Sequence, residues 1–269
     1  MSKFRTDMRH LASGIALACA MLAATPGHTL TIRLQDRDVA RSVSLGGTCV
    51  GCELSGRDLS GASFRNANFV NASMVGTNLR GATMIGSRFK GSDFSGADLR
   101  GASVMATDME NTTLRGANMS GMTATGANFR SSDMRGTDIS DAEMIGSSFR
   151  DADMRSVKGR GSHMFGVDLR NADVRLADFR RAEMAGANMS NADLRNANFE
   201  NASLVAARLS GASFTGTRMR GADLEQADIR GADLSNAVGL TQAQINGACG
   251  NSETRLPRGL VVNQCRGRS

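Results

Sequence analysis

GADLEQADIRGADLS, residues 221–235, is three copies of one five-residue unit. Leu224, Ile229 and Leu234 stand five apart, and two places before each comes an alanine: Ala222, Ala227 and Ala232. Followed toward the N-terminus, the same frame runs without an insertion to Leu54, through Leu59, Phe64, Phe69, Met74 and Leu79. Of its 37 positions only Ala124 and Gly159 are not large and apolar. One residue before each large residue is usually Asp, Asn or Ser, and two after it is often Gly or Asn.

A five-residue period suits neither a helix at 3.6 nor a strand at 2. Two inward positions in five, one large and one small, suit a chain that turns a corner in every repeat. Four corners close a coil of about twenty residues, and stacked coils bond at the usual strand spacing of ~4.8 Å. Asp, Asn and Gly near each corner suit turns, through side-chain hydrogen bonds and tolerance of unusual φ. A twenty-residue superperiod is visible independently, because Phe69, Phe89, Phe129 and Phe149 share one corner, as do Met144, Met164 and Met184. The two misfits read as volume swaps, since Met122 precedes Ala124 and Val157 precedes Gly159. The fold expected is all-β, a solenoid of about nine coils and about 45 Å.

Composition agrees with a repeat. Among 269 residues there are 31 glycines, 2 prolines, no Trp and no Tyr, which excludes collagen and polyproline linkers. At 41% hydrophobic and 22% charged, the chain is not wholly disordered. The net charge of +6 belongs to the ends: residues 53–237 hold 22 bases and 22 acids. A neutral body argues against nucleic-acid binding.

GADLR (96–100), GANMS (116–120) and NADLRNANFE (191–200) repeat the opening unit. The pattern resembles the pentapeptide-repeat family over roughly 70% of the chain. That resemblance implies a right-handed quadrilateral β-helix and is almost silent on activity, because members share the coil and not a chemistry. CVGCELSG (49–56) looks like the lead-in to the repeats in many members, and GLTQAQINGACGNSETRLPRGL resembles a frequent ending. Some members mimic DNA and bind topoisomerases, protecting them from quinolones.

Four segments follow. Residues 1–24 have the order of a secretory signal peptide, with Lys3, Arg5 and Arg9 before the apolar run Leu11–Ala24 and then Thr25-Pro26-Gly27. Cleavage after Ala24 is one option and lipidation at Cys19 a weaker one. The run is too short to span a bilayer, so no integral membrane insertion is expected. Residues 30–52 read as an N-terminal cap, 53–237 as the β-helix and 238–269 as a helical C-terminal cap. In the last, Thr241 and Gln244 form a capping box. The location implied is periplasmic or secreted, in a bacterium.

Cys49, Cys52, Cys249 and Cys265 remain after the leader. The two pairs sit at opposite ends of a rod, which excludes a four-cysteine zinc site. A Cys249–Cys265 bridge would staple the C-terminal cap. Cys52 falls on a small inward position, which suits a buried thiol as well as a bond to Cys49. A redox role for CVGC needs a following helix, and here repeats follow instead. With His163 the only histidine of the coil, and no nucleophile elbow, phosphate loop or HExxH, no catalytic, cofactor-binding or metal-binding residue is expected and the chain reads as a non-enzyme.

Sorting outward residues by a twenty-residue coil gives three kinds of face. One carries Arg115, Arg135, Arg155, Arg175 and Arg195 beside Asp133, Asp153, Asp173 and Asp193, charges that compensate one another. A neighbouring face has the basic row Arg130, Arg150 and Arg170, the candidate for an anionic partner. Another stacks Ile85, Met105, Thr125, Ile145, Phe165, Ala185 and Val205, an apolar interaction stripe centred on Ile145 and Phe165. The leading function is an exported, non-catalytic scaffold for a protein partner, a second copy of the chain among the candidates. The alternatives are a DNA-mimicking topoisomerase binder, which wants an acidic rod, and a binder of anionic polymer or lipid surfaces through arginine ladders.

Overall fold

Each repeat runs in a fixed order: a small inward residue, a bridge residue, a large inward residue, a display residue and a corner residue. In the computed structural model, which describes residues 47–265, this order becomes a solenoid. The leader 1–24, Cys19, His28 and residues 30–46 of the expected cap lie outside the described residues.

Bridge residues pair in parallel at a constant separation of twenty, from Thr48↔Asn68 and Glu53↔Ser73 to Arg218↔Val238. Four such columns make four sides, which we number by their first members: side 1 from Thr48, side 2 from Glu53, side 3 from Asp58 and side 4 from Ser63. The all-β expectation takes a particular form here. A corner every five residues leaves no side long enough for an extended strand, so the ladders consist of isolated bridges.

Where the bridge residue is Asp or Asn, all five backbone N–H groups of a repeat are satisfied, which explains the preference for those two residues. The large residue donates to the next coil (Leu54 N to Ser73 O, 2.8 Å), as does the corner residue (Gly96 N to Arg115 O, 2.8 Å). The bridge residue reaches the previous coil (Ser73 N to Cys52 O, 2.8 Å), and the small residue closes a turn (Ala97 N to Phe94 O, 2.9 Å). The fifth donor, on the display residue, has no backbone acceptor. It donates to the side chain two residues earlier, as Arg100 N does to Asp98 Oδ1 (3.2 Å) and Ser120 N to Asn118 Oδ1 (3.1 Å). Asp and Asn are therefore favoured as acceptors at the bridge position.

Corner residues from Gly51 to Gly231 all have φ between 51° and 72°. Glycine adopts this left-handed conformation without a steric penalty and Asn with little, which accounts for their frequency there. Leu176, with φ 62°, is the bulkiest aliphatic exception.

The core is a column of large residues lined by small ones, and every one of them from Phe64 to Leu234 is buried. Phenylalanines twenty apart stack: Phe69 on Phe89 with centroids 5.0 Å apart and planes at 4°, and Phe129 on Phe149 at 5.1 Å and 1°. Where the small residue is Ser or Thr, its hydroxyl finds a backbone carbonyl. Ser87 donates to the Phe64 carbonyl and accepts from Ala67 N at 3.0 Å, and Thr137 donates to the Leu114 carbonyl at 2.9 Å. At Gly159 the expected volume swap is only part of the account. Val157 is buried, but the Phe179 ring also enters the space, so that a Cβ on Gly159 would stand 2.4 Å from its Cε1.

Both ends of the described ladder have their own construction. Among the described residues Cys49 is the first in the large inward column and is buried, and Thr48 pairs with Asn68, so the described ladder includes the last residues of the segment 30–52. At the other end, helix α1 is confined to Gln242–Gly247. The expected capping box is present, with Thr241 N donating to Gln244 Oε1 at 3.0 Å and Gln244 N to Thr241 Oγ1 at 3.4 Å. Gln244 Nε2 also donates to the Met219 and Ala222 carbonyls, each at 2.8 Å, and Ile245 is buried against the core. The rest of 238–269 is not helical as far as it is described. Bridges Asp228↔Cys249 and Asp233↔Arg255 carry the ladder on with separations of 21 and 22 in place of twenty.

Candidate interaction surface

The four sides differ in what their display residues can still offer to a partner. Eight Asp-x-Arg triplets occur in the described coils, for example DMR at 133–135 and DLR at 168–170, and each closes into a two-point ion pair. In Arg155 the Nε donates to Asp153 Oδ1 at 2.8 Å and Nη2 to Oδ2 at 2.6 Å. The same carboxylate takes the backbone N–H of Arg155, so one Asp completes the turn and fixes the guanidinium. The hydrogen bond from the arginine two residues on holds the carboxyls of Asp98, Asp153, Asp168, Asp178, Asp193 and Asp228 below the usual carboxylate range.

On side 2 these pairs join into a zipper. Arg135 Nε lies 3.4 Å from Asp153 of the next coil, Arg155 Nε 3.5 Å from Asp173, and Arg175 Nε 3.5 Å from Asp193. Leu176 stands exposed at 62% on the corner beside this zipper, where it lines a shallow depression with Arg135, Gly136, Arg155 and Ser156. Leu176 was not among the residues singled out from sequence. The signal was available, since it is a bulky aliphatic residue in the Gly/Asn column.

The basic row lies on side 1 as the twenty-residue sorting placed it, but its members differ. Arg170 is held by Asp168 at 2.8 and 2.6 Å, and Arg150 Nε is 3.4 Å from Asp151. Arg130 has no ion pair among the described residues. The row thus keeps less unpaired charge than a reading by residue type suggests.

Side 4 differs from the others. Met105, Ile145 and Phe165 are exposed at 38, 36 and 36%, while Ile85, Thr125, Ala185 and Val205 are half-buried. They form one column, because their bridge neighbours pair in the chain Thr83↔Ser103↔Thr123↔Glu143↔His163↔Glu183↔Ser203. Beside the column runs a corner of small residues, Gly126, Gly146 and Gly166, with nothing within 4 Å of where a Cβ would stand. His163 is exposed, bridges Glu143 and Glu183, and has its ring 6.3 Å from that of Phe165.

At the ends, the Cα atoms of Cys249 and Cys265 are 4.7 Å apart and those of Cys49 and Cys52 are 5.4 Å apart, both within disulfide reach. Cys52 is half-buried against the core. Among the described residues no group of three His, Cys, Asp or Glu side chains is placed to hold a metal, and no described helix is long and apolar enough to cross a membrane.

A four-sided coil that turns every five residues defines a class of solenoid. The chain belongs to the pentapeptide-repeat family: the family profile, "Pentapeptide repeats", matches in eight copies over residues 49–84, 84–121, 92–130, 125–158, 162–201 and 202–238. The coil is the right-handed β-helix of that family. Comparison with curated proteins found no match. Among solved structures, HetL of Nostoc, a pentapeptide repeat protein involved in heterocyst differentiation regulation, is 22% identical over 73% of this chain and 93% of its own, with a TM-score of 0.37. A pentapeptide repeat protein of the Arabidopsis thaliana thylakoid lumen is 32% identical over 37% of this chain and 70% of its own, with a TM-score of 0.37. QnrB1, a plasmid-mediated fluoroquinolone resistance protein, is 21% identical over 78% of this chain and 91% of its own, with a TM-score of 0.32.

Proposed function

We propose that the chain is a non-catalytic, exported scaffold that works by presenting side 4 to a protein partner. The observation that carries this reading is the contrast between faces. The display arginines are largely committed to Asp bridge residues, whereas Met105, Ile145 and Phe165 are apolar, exposed and aligned. Export is supported by the order of residues 1–24 and by the placement of Cys249 and Cys265, which an oxidising compartment would join into a staple for the C-terminal cap. Cys49 and Cys52, three residues apart, would tie together a single corner under the same conditions. Nine or so coils form the body of the rod.

The topoisomerase reading has less support. Mimicry of DNA wants unpaired negative charge along a rod, and here the acids of the Asp-x-Arg triplets are neutralised in place. The anionic-surface reading keeps Arg130 as its best residue.

Fractionation tests the export claim, by intact mass of the periplasmic and cytoplasmic protein with and without thiol alkylation. The expected result is a periplasmic chain lacking its leader, with Cys249 and Cys265 inert to alkylation until reduced. A full-length, fully alkylatable chain in the cytoplasm would refute export and the staple together.

A further inference from the structure

We infer that the partner of side 4 is a second copy of the chain, docked antiparallel about a two-fold axis between the coils of Ile145 and Phe165. The inference deepens the scaffold reading and rests on its assignment of side 4 as the working face.

The column is symmetric about that point in residue size. Counting outward, Ile145 is matched by Phe165, Thr125 by Ala185 and Met105 by Val205, giving the order large, small, large, large, small, large. The flanking corner repeats the symmetry, with Gly146 matched by Gly166, Gly126 by Gly186 and Ala106 by Ala206. When two copies meet face to face with opposite rod directions, each residue lies over its match, and the glycine corners let the backbones approach.

Charge then selects the register. Glu143, His163 and Glu183 are the titratable bridge residues of the central coils on this side. With the axis midway, Glu143 of each copy faces His163 of the other, and Glu183 faces Thr123. An axis moved to the coil of Ile145 would oppose Glu143 to itself. An axis at the coil of Phe165 would oppose His163 to itself and Glu143 to Glu183. Both alternatives place like or unrelieved charges opposite one another. Beyond Met105 and Val205 the symmetry ends, since Ile85 would meet Glu225, and this bounds the interface. Six coils at ~4.8 Å give a face about 29 Å long, which at roughly 12 Å wide buries on the order of 700 Å² in total, the size of a weak, transient contact. The association is therefore expected to be weak and dependent on protein concentration.

The test is sedimentation equilibrium of the full chain from 1 to about 100 μM, with register read by cysteine cross-linking. The wild type should reach twice the monomer mass, and the Ile145→Ser/Phe165→Ser variant should stay monomeric with an unchanged far-UV spectrum. His163→Glu, which places Glu over Glu143 twice, should weaken the dimer at least tenfold. Ile145→Cys mixed with Phe165→Cys should give a mixed disulfide faster than either protein alone. A dimer that survives Ile145→Ser/Phe165→Ser, or that links position 145 to itself fastest, overturns the inference. So does a wild type monomeric at every concentration. An exported, stapled monomer would refute this partner and leave the scaffold reading standing.

Discussion

Gly159→Ala is a one-carbon change at a site where the structure leaves no room for it. Gly159 stands at a large inward position, and its emptiness is filled by the Phe179 ring of the next coil. A Cβ there would lie 2.4 Å from Phe179 Cε1 and 2.5 Å from Cδ1, well inside contact distance. The ring cannot retreat along the axis, because Phe199 stacks on it with centroids 5.7 Å apart and planes at 18°. Overpacking of this kind costs about 1–3 kcal/mol. Phe179→Leu would open a cavity of its own and cost roughly 1–2 kcal/mol, but it removes the atoms the new methyl strikes. The double variant should therefore be more stable than the two single effects sum to, with a coupling of about 1–2 kcal/mol. Urea unfolding followed by far-UV circular dichroism measures this, since the chain has no Trp or Tyr to report. The midpoint should shift at constant slope. A Gly159→Ala protein as stable as wild type, or strictly additive single effects, would refute the account of how this coil is filled.

Three further outcomes follow from the same geometry. Ser87→Ala leaves the Phe64 carbonyl and the Ala67 N–H without their partner in a buried wall, and urea unfolding should show a loss of about 1–3 kcal/mol. Leu176→Gly relieves a left-handed corner and removes an exposed apolar side chain, so it should raise stability by about 1 kcal/mol, seen as a higher melting temperature. The paired carboxyls of Asp153 and Asp193 are held below their ordinary value near 3.8, so the stability they supply is fully present above that value. That stability is lost as pH falls through the lowered folded values. Melting temperature should be level from pH 8 to 5 and fall below about 4, with a shallower acid fall in the Asp153→Asn/Asp193→Asn variant.

The period-five frame made the coil, both inward columns and the four-way sorting of surface residues readable, because every repeat solves the same hydrogen-bonding problem. What stayed hidden depends on neighbours a coil away. The sequence reading saw compensation between the Arg and Asp columns, but not that one carboxylate closes the turn, fixes its own arginine and receives the next. That arrangement is what commits Arg170 while leaving Arg130 unpaired. The filling of Gly159 by Phe179 needs a rotamer, which no frame supplies. Counting from Leu54 stopped one repeat short of Cys49, whose modest size hid a core position. The stripe on side 4 was legible, whereas its graded exposure, with Met105, Ile145 and Phe165 outermost, was not.

Met105 offers the most direct measurement of whether side 4 is the working face. It is exposed at 38%, while every other methionine from Met74 to Met219 is buried. Peroxide oxidation of Met105, followed by peptide mass in intact cells and in dilute purified protein, reads the covering of that face alone. The account predicts slow oxidation in the cell and fast oxidation in dilute solution, with Met144 and Met164 protected in both. Equal rates at Met105 in the two settings would contradict it.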